Sequence, residues 1–175
     1  MTPVARLYAA VRASSSPLAD ALGAQPPAPT ADGGDPPLLA AAGPRVAATS
    51  SEIELAVVAV HEGYRLHYDR RRALPIEDAD LSLLAGDRLY ALGLDRLASI
   101  GDLAAICELA DVIALSAQAH AAGDEELARA AWQVGAIAVG WGSAAVTEDA
   151  KARARAGDPE ATSALLAAAD IATSL

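Results

Sequence analysis

The stretch "LSLLAGDRLYALGLDRLASIGDLAAICELADVIALSAQAHAAGD", residues 81–124, decides the fold. Leucines crowd its first half, and apolar residues recur at three- and four-residue intervals through its second half. That is the period of an α-helix rather than of a strand. "SIGD" at 99–102 breaks the run, with Gly101 suited to end one helix and Asp102 to cap the next. "AAGD" at 121–124 repeats the punctuation. Two helices are predicted, over about 81–99 and 103–121. The first is apolar nearly all round, through Leu81, Leu83, Leu84, Leu89, Tyr90, Leu92, Leu94 and Leu97, which predicts a central, buried helix. The second has Leu103, Ile106, Cys107, Ala110, Ile113, Ala114 and Ala117 on one stripe, which predicts its core face, with Cys107 as a small core residue.

The same period extends outward. "SSEIELAVVAVHEGYRLHYD", 50–69, opens on hydroxyl and acidic residues, as a helix N-terminus prefers. Ile53, Val57, Val60, His61, Tyr64 and Tyr68 lie along one of its sides. A further helix starts near Asp124 and runs through Trp132 towards Ala145, with Gly140 as a point of breakage. "AGDP" at 156–159 introduces a last one, 159–173, with proline in its first turn. Before residue 23, Val4, Leu7, Tyr8 and Val11 form a short amphipathic helix. Between them, "GAQPPAPTADGGDPP" is too rich in proline and glycine for helix. The division is an N-terminal helical segment, 1–22, a Pro/Gly-rich linker or arm, 23–49, and a helical bundle domain, 50–175. No segment of useful length has the strand period, so the fold class is all-α.

Composition narrows the functions. The 175 residues suit one domain and a real core, 53% hydrophobic but only 3% aromatic, with no Phe. Small side chains therefore dominate the packing. A formal net charge of −10 argues against nucleic acid and anionic membrane surfaces. One cysteine excludes an internal disulfide and gives no sign of an oxidising compartment. The N-terminus lacks the pattern of a signal peptide, because Arg6 and Arg12 interrupt what would be its apolar run. The uncharged run "AAWQVGAIAVGWGSAAVT", 130–147, is borderline for a membrane span and poor in large aliphatics, so membrane contact there is not expected but stays open.

Chemistry-bearing residues concentrate in "LHYDRRRALPIEDAD", 66–80. The arginines Arg70, Arg71 and Arg72 offer bidentate donors to a phosphate or carboxylate, with Asp69 and His67 beside them. These five are the candidate ligand-binding residues. A magnesium site needs several converging carboxylates. Asp69 has Arg65 and Ala73 at helical spacing, Asp87 has Leu83 and Ala91, and "EDAD" at 77–80 reads as a solvated turn and helix cap. His61, His67 and His120 lack the spacing of a zinc site. No G-x-S-x-G elbow and no phosphate loop is present. The expectation is no catalytic residue, no metal and no cofactor.

"ELAVVAVHEGYRLHYDRRRALP", followed by "LLAGDRLYALGLDRLASIGDLAAICELADVIALSAQAHAAGD", resembles the trans-isoprenyl (polyprenyl) diphosphate synthases. In that family a helix of the type "ElxHxaxLxHDD" leads into an arginine pair and a helix "LxGDyLxaxa" follows. Here Glu54 to Asp69 match the first, Arg70 to Arg72 the arginines and Leu84 to Ala91 the second; the likeness spans about 36–121. It implies a bundle resembling part of the prenyl synthase core. The family's aspartate-rich motif, which holds Mg²⁺ against a diphosphate, is reduced here to "HYDRRR", and its second such motif has no counterpart. The resemblance therefore implies descent from an enzyme without its metal site.

The functional expectation is a non-catalytic accessory or structural subunit that packs on a protein partner, or on further copies of itself, through apolar helical faces. The partner could be a prenyl diphosphate synthase subunit. The alternatives are an isoprenoid or prenyl diphosphate binding module and a small subunit of a heteromeric synthase, the one case that brings in Mg²⁺. The expected location is cytoplasmic, or peripheral to a membrane complex.

Overall fold

Where side chains are small, helix backbones come into contact, and α4 and α5 show it most clearly. In the computed structural model, which describes residues 2–14, 17–22, 35–68, 74, 76 and 78–174, helix α4 (Ser50–Tyr68) runs antiparallel to α5 (Ala79–Ser99). A Cβ placed on Gly63 would lie 2.8 Å from the Gly86 carbonyl oxygen, and one on Gly93 would lie 2.6 Å from that of Ala56. The two contacts are seven residues apart on each helix, two turns of a common seam.

Around this pair are α1 (Pro3–Arg12), α2 (Pro17–Ala21), α3 (Pro36–Ala42), α6 (Leu103–Ala121), α7 (Glu125–Trp141), α8 (Ala145–Arg155) and α9 (Ala161–Thr173), with a 3-10 turn over Pro44–Val46. The protein is an all-α bundle, and the described residues contain no strand. Three apolar clusters hold it together. The first joins α3, α4, α6 and α7 through Val57, Leu109, Trp132 and Val139. The second presses Leu7, Val11 and Leu18 of the N-terminal helices onto Leu55, Val58 and Leu89. The third gathers Val134, Ile137, Leu165 and Ala169 of α7 and α9 with Ala150 and Ala154 of α8.

Helices α4 and α7 are the central elements, because most of each is enclosed: twelve of the nineteen residues of α4 and eleven of the seventeen of α7 are buried. Helix α5 is not central, contrary to its leucine content. It buries only Ser82, Ala85, Gly86, Leu89, Gly93 and Leu97, and leaves Leu84 67% exposed. Its small residues form the seam on α4, so the bulkier leucines at 83 and 84 are turned aside. Among the described residues no second neighbour covers them.

Turn chemistry follows the sequence reading. Asp78, Asp102 and Asp124 each cap a helix by accepting a backbone N–H three residues on, from Leu81, Ala105 and Leu127. Gly101 takes φ +76°, the left-handed conformation that stops α5. Helix α7, expected to reach Ala145, ends at Trp141. Gly142 adopts φ +99°, and a separate helix, α8, follows. The uncharged run 130–147 is thus two helices and not one span. Among the described residues, α6 is the one helix long and apolar enough to cross a membrane.

Of the expected arm, 23–34 lies outside the described residues. Residues 35–49 are built into the core as α3 and the 3-10 turn, with Gly140 of α7 against the Ala40 carbonyl. Arg45 pins this segment. Its Nε donates to the Val139 carbonyl at 2.8 Å, and its two terminal nitrogens meet both Asp102 oxygens at 3.0 and 2.9 Å.

Candidate functional site

Of the candidate ligand residues, Asp69, Arg70, Arg71 and Arg72 lie outside the described residues. His67 sits in the last turn of α4. Its Nε2 is 3.2 Å from the Asp87 carboxylate of α5, off the line of a hydrogen bond, and its ring stacks on Tyr90 at 5.3 Å. Burial, then the neighbouring Tyr68, Tyr64 and Asp87 charges, push the Tyr90 hydroxyl up, so it stays protonated.

The histidines, unrelated by spacing, are neighbours in space. His61 packs on Trp132 at 4.7 Å and on Tyr64 at 5.9 Å. His120, from the end of α6, lies flat on Tyr68 at 4.3 Å and shares a 3.0 Å hydrogen bond with the Tyr64 hydroxyl. Ring contacts of this kind fix a junction, here that of α4, α6 and α7, with Tyr68 exposed at its rim. Among the described residues no three His, Cys, Asp or Glu side chains are grouped to hold a metal ion.

The most informative surface belongs to α6, whose two sides are reversed from expectation. Its buried side is Ala105, Glu108, Leu109, Val112, Leu115, Ser116 and Ala119, so two polar residues lie inward. Its outer side is uncharged: Leu103 is 70% exposed, and Ala104, Cys107, Ala110, Ala114, Gln118 and Ala121 are exposed after it. Cys107 is thus a surface residue, and the stripe predicted as core mostly lies outside, with Ile106, Ile113 and Ala117 half-buried at its edge. Both sides of α6 are apolar enough for a core, and hydrophobicity alone could not choose between them. The side turned inward is the one on which Glu108 meets an ionic cluster.

That cluster is the feature the sequence reading missed. Lys151 of α8 is 1% exposed, and its ammonium reaches Glu108 at 2.7 Å, Asp111 at 3.4 Å and Glu148 one turn back on α8. Arg155 donates to the same Asp111 oxygen at 2.6 Å, and Ser143 donates to Glu148. A signal existed: Thr147, Ala150, Lys151 and Ala154 share one face of 145–155, so the lysine is on the inward stripe. Burial disfavours the ammonium, but the hydrogen bonds and charges of Glu108 and Glu148 outweigh it, and Lys151 titrates above its ordinary value. Burial likewise pushes the Glu148 carboxyl up, and Lys151, Ser143 and Arg155 bring it below its ordinary value. Asp102 behaves the same way: burial raises it, while Arg45 and the Ala105 N–H outweigh that and lower it.

No family model matches this chain, and no curated protein and no solved structure is detectably similar to it. The likeness to the trans-isoprenyl diphosphate synthases therefore rests on the quoted residues alone.

Proposed function

We propose that this chain is a non-catalytic helical subunit that packs on a partner protein through the outer side of α6, descended from the prenyl synthase type of bundle. The observation that supports this reading is the charge-free strip from Leu103 to Ala121, which leaves apolar side chains in water on an otherwise acidic molecule. An apolar helix face of this kind is a surface that a second helix covers. The absence of charge along it is what lets a partner, a second copy of the chain included, approach a molecule of net charge −10. Glu108 and Asp111, the charged residues of α6, are engaged by Lys151, so α6 belongs to a bundle rather than a bilayer.

Light scattering on the purified chain, alone and with whatever co-purifies, tests this reading. The expected result is a mass above one chain that falls to the monomer in Ala110→Glu, with the thermal transition unchanged. A monodisperse monomer that captures nothing, and that the substitution leaves unaltered, would overturn it.

A second reading, a binding module for a prenyl diphosphate, draws on the exposed Tyr68 ring against His120, immediately before Arg70, Arg71 and Arg72 in the chain. Calorimetry with a prenyl diphosphate, with and without Mg²⁺, decides it: absence of heat in both sinks it.

A further inference from the structure

Lys151 is the only lysine of the chain, and the helix that carries it packs on α9 through the small side chains of the third cluster but meets α6 mainly through polar groups. The inward residues of α8 besides Lys151 are Thr147, Ala150 and Ala154, side chains that remove little apolar surface from water. The polar contacts that fasten α8 to α6 are the ammonium on Glu108 at 2.7 Å and Asp111 at 3.4 Å, Arg155 on Asp111, and the Gln118 amide, which donates to the Ala154 and Arg155 carbonyls at 3.3 Å. Glycines with positive φ bound the helix on both sides, Gly142 before it and Gly157 after it, at +99° and +72°. A central part of the contact that docks α8 on α6 therefore also covers the single ε-amine.

We propose that Lys151 is a concealed modification site: the one side-chain amine in this chain that can take the acyl group of a thioester-activated carboxyl donor as a stable amide, presented only when α8 lifts from α6. The chemistry is a plain acyl transfer. The ammonium, once released from its carboxylates, loses a proton to water. The neutral Nζ attacks the thioester carbonyl carbon, the N–C bond forms, and the C–S bond breaks with its electron pair leaving on sulfur as thiolate. The nitrogen gives up its second proton, by way of water, to the departing thiolate, so the products are an amide and a thiol, with no oxidant or reductant needed. The amide has no positive charge, so a modified α8 cannot re-dock without leaving Glu108 buried against a neutral group. Acylation thus traps the lifted state.

The test uses the full chain and N-hydroxysuccinimidyl acetate as the amine probe, with peptide mapping by mass spectrometry. In the wild type the α-amino group should react freely. Lys151 should react about 100-fold more slowly than the lysine of a peptide copy of 145–155. Glu108→Gln, which keeps the side-chain volume, should raise the Lys151 rate by about tenfold or more while the thermal transition stays cooperative. Lys151→Arg, which keeps the cation, should leave one acetyl group per chain and so assign the signal. In urea, labelling of the wild type should rise before the global transition seen by circular dichroism. Three results overturn the proposal: wild-type Lys151 reacting within a few-fold of the peptide, no acceleration in Glu108→Gln, or labelling that rises only with global unfolding.

Discussion

The two sides of α6 are both largely apolar, and its polar residues do not all lie outward. The side turned into the protein carries Glu108 and Ser116 among Leu109, Val112 and Leu115, and the side turned to water carries Leu103, Cys107, Ala110 and Ala114. A carboxylate can lie inward when a cation meets it there, and Lys151 does so. An apolar strip can lie outward at modest cost when its residues are small. The lesson is that one buried ion pair can set which way a helix faces when its hydrophobicity is nearly the same all round.

Lys151→Met breaks the comparison most severely. It leaves Glu108 buried without its cation and should lower stability by about 3–5 kcal/mol in urea denaturation. The double variant Lys151→Met with Glu108→Leu should recover most of that loss. If the double variant is no better than the single one, the pair does not set the orientation. Next come two leucines on the same helix. Leu109→Ala, at a fully buried position, should cost about 2–5 kcal/mol, and Leu103→Ala, 70% exposed, should stay within about 0.5 kcal/mol. Equal losses would mean that α6 faces the other way.

Titration separates the sides as well. The pKa of Lys151 is raised on folding, so its contribution is fully present below its ordinary value of 10.5 and is lost as pH rises through the higher folded value. Those of Glu148 and Asp102 are lowered. Their contributions are present above ordinary values of 4.5 and 3.8 and are lost as pH falls through the folded ones. Melting temperature should therefore drop more at alkaline pH in the wild type than in the double variant. The smallest effect belongs to Ser116, whose hydroxyl is fully buried without a hydrogen-bond partner. Ser116→Ala should be neutral or stabilise by up to about 1 kcal/mol, read from the same denaturation curves.

The sequence by itself determined the helical class, the limits of α6 and the Gly-Asp junctions, because helical period and cap chemistry are local. It also marked the residues after His67 as the polar stretch between α4 and α5, and Asp78 serves there as a cap. It did not reveal α8, since Gly142 and the weakly apolar "AVTEDAKARAR" gave no periodic signal strong enough to separate that helix from α7. Nor did it bring His61 and His120 together, which lie 59 positions apart (120 − 61) on helices that meet only in the folded protein. The tertiary structure alone decided which leucine-rich helix is central and which face of α6 is buried. Periodicity states that a helix has an apolar side; only the neighbours select which side is used, and here they include an ammonium 43 positions beyond the glutamate it meets.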